Sequence, residues 1–147
     1  MTKINAMKLR RVALAVALPT VAVFVGLHLG CAKPQAMQSA EGVPASQGTV
    51  KATVGENGNT KVSIRVKHLA PPSKIASDAT VYVVWLQPRN GVKQNIGALV
   101  LSDNLEGSLD TMTPHSRFVI TVTPEPGGKV SEPTHEPVFT ADVEHPS

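Results

Sequence analysis

The chain has 147 residues, and 41% of them are hydrophobic. Its 14 lysines and arginines outnumber its 11 aspartates and glutamates, but four of the basic residues lie in the first 11 positions. From position 31 onward the balance is therefore 10 basic residues (14 − 4) against 11 acidic ones, or −1. A nearly neutral chain without a clustered basic face gives no basis for binding nucleic acid, and no small-molecule substrate is indicated.

The first 30 residues have the layout of an export signal. Lys3, Lys8, Arg10 and Arg11 precede an apolar run from Val12 to Leu29, and this order of a basic and then an apolar region is typical of signal peptides. Because basic flanks stay on the cytoplasmic side of a membrane, we expect everything after the run to lie outside the cytoplasm.

Cys31 is the only cysteine in the chain and directly follows Gly30. The junction Leu27-His28-Leu29-Gly30-Cys31 resembles the lipobox of bacterial lipoproteins, in which a small residue precedes a cysteine that is acylated on sulfur. The resemblance implies cleavage between Gly30 and Cys31, fatty acids such as palmitate on Cys31, and a membrane anchor in the periplasm or at the cell surface.

An uncleaved single-pass anchor is the alternative for the same segment. The 18 residues from Val12 to Leu29 would rise about 27 Å as a helix, close to the roughly 30 Å of a bilayer core. In either case the single cysteine leaves no disulfide, so the exported domain must be held together by its hydrophobic core.

The composition predicts three parts: a signal or anchor helix over residues 1–30, a flexible tether over 31–47, and a β-sandwich over 48–147 with a Pro-rich C-terminal segment. The tether is rich in Ala, Ser, Gln, Gly and Pro, residues typical of linkers. Ordered structure is expected to begin near Gly48.

Alternation of polar and apolar residues predicts about seven strands in this domain. They cover residues 50–54, 62–66, 80–87, 93–101, 109–113, 117–123 and 138–143. The number and length of the strands favour an all-β, immunoglobulin-like Greek-key sandwich, with a barrel as the alternative.

Four finer predictions follow from the same strands. The strand over 80–87 is apolar on both faces and is expected to be central, with Tyr82 and Trp85 in the core. Gly97 is expected to mark a bulge or a close approach, on a strand where Ile96, Ala98 and Val100 share a face. The strand over 138–143 is predicted at a sheet edge because prolines crowd its approach.

No catalytic constellation, cofactor motif or metal site is visible, so we expect a protein that is not an enzyme. Ser116 beside His115 does not make a nucleophile, which needs a base placed in space. The exported histidines lack the spacing of metal ligands: His68, His115, His135 and His145. Gly127 and Gly128 follow a strand without a following helix, and they predict a turn.

Three stretches between Tyr82 and Val138 carry a family resemblance. They are Tyr82-Val83-Val84-Trp85-Leu86, then the stretch from Val119 to Gly128, then Glu132-Pro133-Thr134-His135-Glu136-Pro137-Val138. Together they resemble the extracytoplasmic C-terminal domain of the anti-sigma-K factor family. The resemblance implies a regulatory binding or sensing module. Because only 11 residues precede Val12, we do not expect it to bind a sigma factor.

The sequence thus predicts a lipid-anchored envelope protein that acts by binding or sensing, with an envelope protein as the class of partner. The alternatives are a passive structural lipoprotein and a single-pass membrane protein with the same outer domain. The segment from Pro124 to Ser147 is expected either to meet a partner in extended form or to be a solvated tail.

Overall fold

The structure is a computed structural model that describes residues 32–144. Over this range the chain forms nine β-strands, one 3₁₀ turn at Glu56–Gly58 and one short helix, α1, at Pro72–Ile75. The strands are β1 (Gln35–Ala36), β2 (Gln38–Ser39), β3 (Gln47–Val54), β4 (Thr60–Lys67), β5 (Val81–Pro88), β6 (Gln94–Leu99), β7 (Gly107–Thr113), β8 (Arg117–Glu125) and β9 (Phe139–Glu144).

The strands form two antiparallel sheets that pack as a sandwich. The four-stranded sheet has the order β1-β3-β4-β7, and the five-stranded sheet has the order β2-β9-β8-β5-β6. Alternate residues of each strand point inward, so that one buried cluster joins both sheets. From the four-stranded sheet it contains Val50, Val62, Ile64 and Val66; from the five-stranded sheet it contains Tyr82, Val84, Leu86, Phe118, Ile120 and Val122.

Each of the seven predicted strands is present, as β3 to β9. β3 and β4 form a hairpin, in which Asn57 and Gly58 adopt the positive φ angles of 60° and 75° that such a turn needs. β5 lies between β8 and β6, and its residues from Tyr82 to Leu86 are buried on both faces. The prediction of a covered, internal strand is therefore correct.

Ordered structure begins earlier than the sequence predicts. β1 and β2 lie in the segment expected to be a flexible tether, and Met37 and Val43 from that segment are buried in the core. β1 pairs with β3, while β2 pairs with β9. The short segment around Met37 therefore adds a strand to each sheet.

The face predicted for β6 is wrong, because the strand contains a bulge. Val84 pairs with Gly97 but Trp85 pairs with Asn95, which leaves Ile96 as an extra residue. One extra residue reverses the alternation beyond it. Leu99 is therefore buried in the core instead of Ala98, and Val100 is 76% exposed. The prediction that Gly97 marks a bulge is confirmed, and its φ of 144° favours glycine.

The position predicted for β9 is also wrong. β9 lies between β2 and β8, because Phe139 and Thr140 pair with residues of β2. Beyond this pair, the Gln35 side chain donates a hydrogen bond to the Asp142 carbonyl at 2.9 Å. Residues 35–39 thus cover the side of β9 that was predicted to be an exposed sheet edge.

Tyr82 provides a test of the core. Its hydroxyl donates to the Ala70 carbonyl at 2.7 Å, and burial raises its pKa to about 12. Because Tyr82 is the only tyrosine, tyrosinate absorbance reports on it alone. We expect a midpoint of about 12 in the folded protein and of about 10 in denaturant. The unfolded state then ionises first, so stability falls as the pH rises above about 10.

Circular dichroism recorded during the same titration serves as the control for folding. Tyr82→Phe is expected to remove both the absorbance change and the loss of stability that this hydroxyl causes above about pH 10. A tyrosinate midpoint near 10 in protein that retains its native circular dichroism would contradict the burial of Tyr82.

Candidate functional site

The outer face of the five-stranded sheet is buried, although it points away from the core. Val83 and Trp85 of β5 lie on this face, as do Thr121, Thr123 and Glu125 of β8, and each of them is less than 9% exposed. Trp85 is buried as predicted, but it lies outside the cluster between the sheets. A second layer must therefore cover this face.

The connection between β8 and β9 forms that layer, and we call residues 126–137 the cover segment. The Asn95 side chain on β6 donates to the carbonyls of Gly128 and Val130 at 3.0 and 2.9 Å. At the other side, the Thr80 hydroxyl donates to the Pro126 carbonyl at 2.8 Å. A Cβ at Gly128 would lie 3.1 Å from the Ala98 Cβ, so glycine permits this close approach.

A chain of hydrogen bonds ties the cover segment to Trp85. The Trp85 indole nitrogen donates to the Thr123 hydroxyl at 2.7 Å, and that hydroxyl donates to Glu125 Oε1 at 2.5 Å. The Thr134 backbone N–H donates to Oε1 and Oε2 of Glu125 at 3.0 and 3.1 Å, and the Thr134 hydroxyl donates to Oε2. The cover segment is therefore fastened to a carboxylate in the sheet.

Glu125 is fully buried, and each of its two carboxylate oxygens has two donors. A buried carboxylate is costly unless it is hydrogen-bonded. Here the bonds come from one residue of β8 and one residue of the cover segment. All the donors are internal, so the arrangement suits holding two layers together and leaves the carboxylate no open side toward a substrate.

His135 continues this network to the surface. Its Nε2 lies 3.0 Å from the Asp78 carboxylate, and its Nδ1 lies 2.9 Å from the Thr134 hydroxyl. Asp78 precedes β5, so this contact joins the cover segment to the β4–β5 connection. Over the residues described to 144, the segment from Pro124 onward is therefore packed on the sheet, which corrects the expectation of a solvated tail. That it meets a partner stays a prediction.

The predicted lipid attachment and cleavage residues, Cys31 and Gly30, lie outside the described residues. Within 32–144, no three His, Cys, Asp or Glu side chains lie close enough to hold a metal ion. The same part of the chain has no helix long and apolar enough to cross a membrane. Among the histidines predicted to be scattered, His145 is also outside the described range, and His68 and His115 lie in loops apart from the cover segment.

A partly apolar groove lies at one end of the sandwich. It encloses about 390 Å³ between α1 and the β6–β7 connection. We call it the α1 groove; its lining includes Pro71, Pro72, Tyr82, Leu99, Leu101 and Leu105. Its size falls within the range of small-ligand or side-chain pockets.

Sequence reasoning missed the roles of Thr123, Glu125 and Thr134. All three belong to the stretches that carry the resemblance to the anti-sigma-K factor family, and the structure brings those stretches together around Trp85.

The fold and this network define an antiparallel β-sandwich domain with a covered outer face. The chain matches no family model, no curated protein and no solved structure.

Proposed function

We propose that the protein is a lipoprotein of the bacterial cell envelope, anchored through Cys31, whose β-sandwich acts by binding or sensing and not by catalysis. One observation carries the proposal. Strand β1 begins at Gln35, four residues after Cys31, and Met37 already lies in the core, so the folded domain begins next to the cleavage position that the lipobox resemblance implies. A domain that begins so soon after Cys31 fits a mature chain whose first residue bears the lipid.

The strand order supports a more specific description of the fold. We propose an immunoglobulin-like Greek key, in which β3, β4 and β7 oppose β6, β5, β8 and β9. Its support is that the chain changes sheets between β4 and β5, between β6 and β7, and again between β7 and β8. Such crossings are typical of these sandwiches.

The covered face supports a relationship to the outer domain of the anti-sigma-K factor family. The residues of the three resembling stretches meet in one network of Trp85, Thr123, Glu125 and Thr134. Because these residues are joined by hydrogen bonds, the three stretches form one structural unit on the outer face of the sheet. We therefore propose that the domain is a non-catalytic regulatory module of the same general kind.

Fatty-acid labelling tests the anchor. Cells that produce the wild-type chain or Cys31→Ser are grown with labelled palmitate, and the purified protein is analysed. We expect label on the wild type and none on Cys31→Ser, because serine offers no sulfur for acylation. Gly42→Ala serves as a labelled control, since nothing lies within 4 Å of the added methyl group. An unlabelled wild type that retains residues 1–30 would contradict the proposal.

The α1 groove favours a binding role over a passive one. Leu105 lines it and is 37% exposed, so a photo-crosslinking residue at position 105 would sit against any bound protein. We expect a discrete adduct from cell envelopes at position 105 and none at Lys129, an exposed position on the cover segment. Identical results at the two positions would favour the passive structural lipoprotein.

A further inference from the structure

The folded domain begins closer to the proposed lipid than the sequence predicts. The inference drawn from this short link rests on the proposed function. Only Ala32, Lys33 and Pro34 separate Cys31 from β1. Four residue steps span at most about 14 Å. A domain tethered this closely cannot turn freely, so one part of its surface must stay beside the bilayer.

The pairing of β1 identifies that part. Gln35 pairs with Val50 and Ala36 pairs with Thr49 in antiparallel register, so the chain before Gln35 runs toward the end of β3 at Val54. We call this the attachment end. It also contains the connections 55–59, 89–93 and 114–116, whereas the β2–β3, β4–β5 and β6–β7 connections form the distal end.

Charge separates the two ends, although the described domain is nearly neutral as a whole. The attachment end has five basic residues, Lys33, Lys61, Arg89, Lys93 and Arg117, against Glu56, Asp142 and Glu144, a balance of +2 (5 − 3). Arg117 and Glu144 form an ion pair at 2.6 Å. The connections of the distal end and their flanking residues have Lys67 and Lys74 against four unburied acids, a balance of −2 (2 − 4): Glu41, Asp78, Asp103 and Glu106.

Exposed apolar side chains accompany the positive charge. Val54 is 61% exposed, Val92 is 76% exposed and Met112 is 52% exposed, and all three lie at or next to the attachment end. The distal end also has three exposed apolar residues, Ile75 (36%), Val100 (76%) and Leu105 (37%), so exposed apolar residues alone do not distinguish the two ends. Basic residues with exposed apolar residues suit the surface of a bilayer that contains anionic lipid. The tether and the charge therefore favour the same end.

We propose that the attachment end lies on the membrane surface. Lys33, Lys61, Arg89 and Lys93 meet anionic headgroups there, and Val92 enters the interface. The distal end, with the α1 groove, then points away from the bilayer, and its negative charge is repelled by the lipid. The acyl chains hold the protein on the membrane, and the attachment end fixes its orientation.

Two exposed valines offer a matched test. Val92 and Val100 are both 76% exposed but lie at opposite ends. Val92→Cys and Val100→Cys are made separately in the full chain, and acylation of Cys31 is verified by intact mass. Each introduced thiol is labelled with an environment-sensitive fluorophore. The protein is reconstituted into phosphatidylcholine vesicles with or without phosphatidylglycerol, and acrylamide quenching is measured.

We expect the label at position 92 to be quenched about threefold less than the label at position 100, because lipid shields it from a water-soluble quencher. The difference should be greater with phosphatidylglycerol, and Arg89→Glu should reduce it. Equal quenching at the two positions in acylated protein, or stronger shielding at position 100, would overturn the inference and leave the lipoprotein proposal intact. A mass without acyl chains would overturn both.

Discussion

Trp85→Ala is expected to lower the free energy of unfolding by about 3–5 kcal/mol, the usual loss when a large buried aromatic side chain is truncated. Trp85 is fully buried between the sheet and the cover segment, so the substitution leaves a cavity under that segment. It also leaves the Thr123 hydroxyl without the donor that lies 2.7 Å away. Urea denaturation followed by circular dichroism measures the loss.

Two further variants serve as controls for this result. Trp85→Phe keeps an aromatic ring but removes the indole N–H, so we expect a smaller loss of about 1–3 kcal/mol. Val92→Ala changes a residue that is 76% exposed, and a change within about 0.5 kcal/mol is expected. If Trp85→Ala were no more destabilising than Val92→Ala, the covered face would not be part of the folded structure.

Glu125→Ala is expected to be the next most harmful change, with a loss of about 2–3 kcal/mol, because it removes a charged acceptor from buried donors. The Thr123 hydroxyl and the Thr134 N–H then lack the carboxylate that joins the sheet to the cover segment. We also expect the cover segment to open locally. Trp85 is the only tryptophan, so its fluorescence should shift to longer wavelength and become more easily quenched under native conditions.

Glu132→Ala is the matched control, because Glu132 is an exposed glutamate within the cover segment itself. It should change neither the urea midpoint nor the Trp85 emission. If Glu125→Ala and Glu132→Ala gave the same emission spectrum and the same midpoint, the carboxylate of Glu125 would not fasten the cover segment.

Most of the strands could be predicted because polar and apolar residues alternate along them, and β5 could be predicted because it is a continuous apolar run. In β4, Val62, Ile64 and Val66 face the core and the residues between them do not, which is a local signal. β1 and β2 have two residues each, too few to show a period. Their strand conformation depends on pairing with β3 and β9, and this pairing is a property of the folded chain.

The bulge in β6 shows a second limit. Gly97 indicated an irregularity, but the sequence does not show which neighbour becomes the extra residue. The partner strand decides it, since Val84 pairs with Gly97 and Trp85 pairs with Asn95. That choice places Leu99 in the core and Ala98 beneath Gly128.

The hydrogen-bond network on the outer face could not be predicted from the sequence for a related reason. Thr121, Thr123 and Glu125 alternate with inward apolar residues, and polar residues at such positions ordinarily face water. Glu125 is buried because Thr134, nine residues later, returns over the sheet. The three stretches on which the proposed family resemblance rests contain Trp85, Thr123, Glu125 and Thr134, but they do not indicate that these residues touch.

We propose that the β-sandwich is displayed outside the cytoplasm on a lipidated Cys31, and the intact mass of the protein extracted from cell membranes tests this most directly. We expect the mass of residues 31–147 with more than one acyl chain, because a single chain gives only marginal membrane binding. An unmodified chain that retains residues 1–30 and is recovered from the cytosol would contradict it.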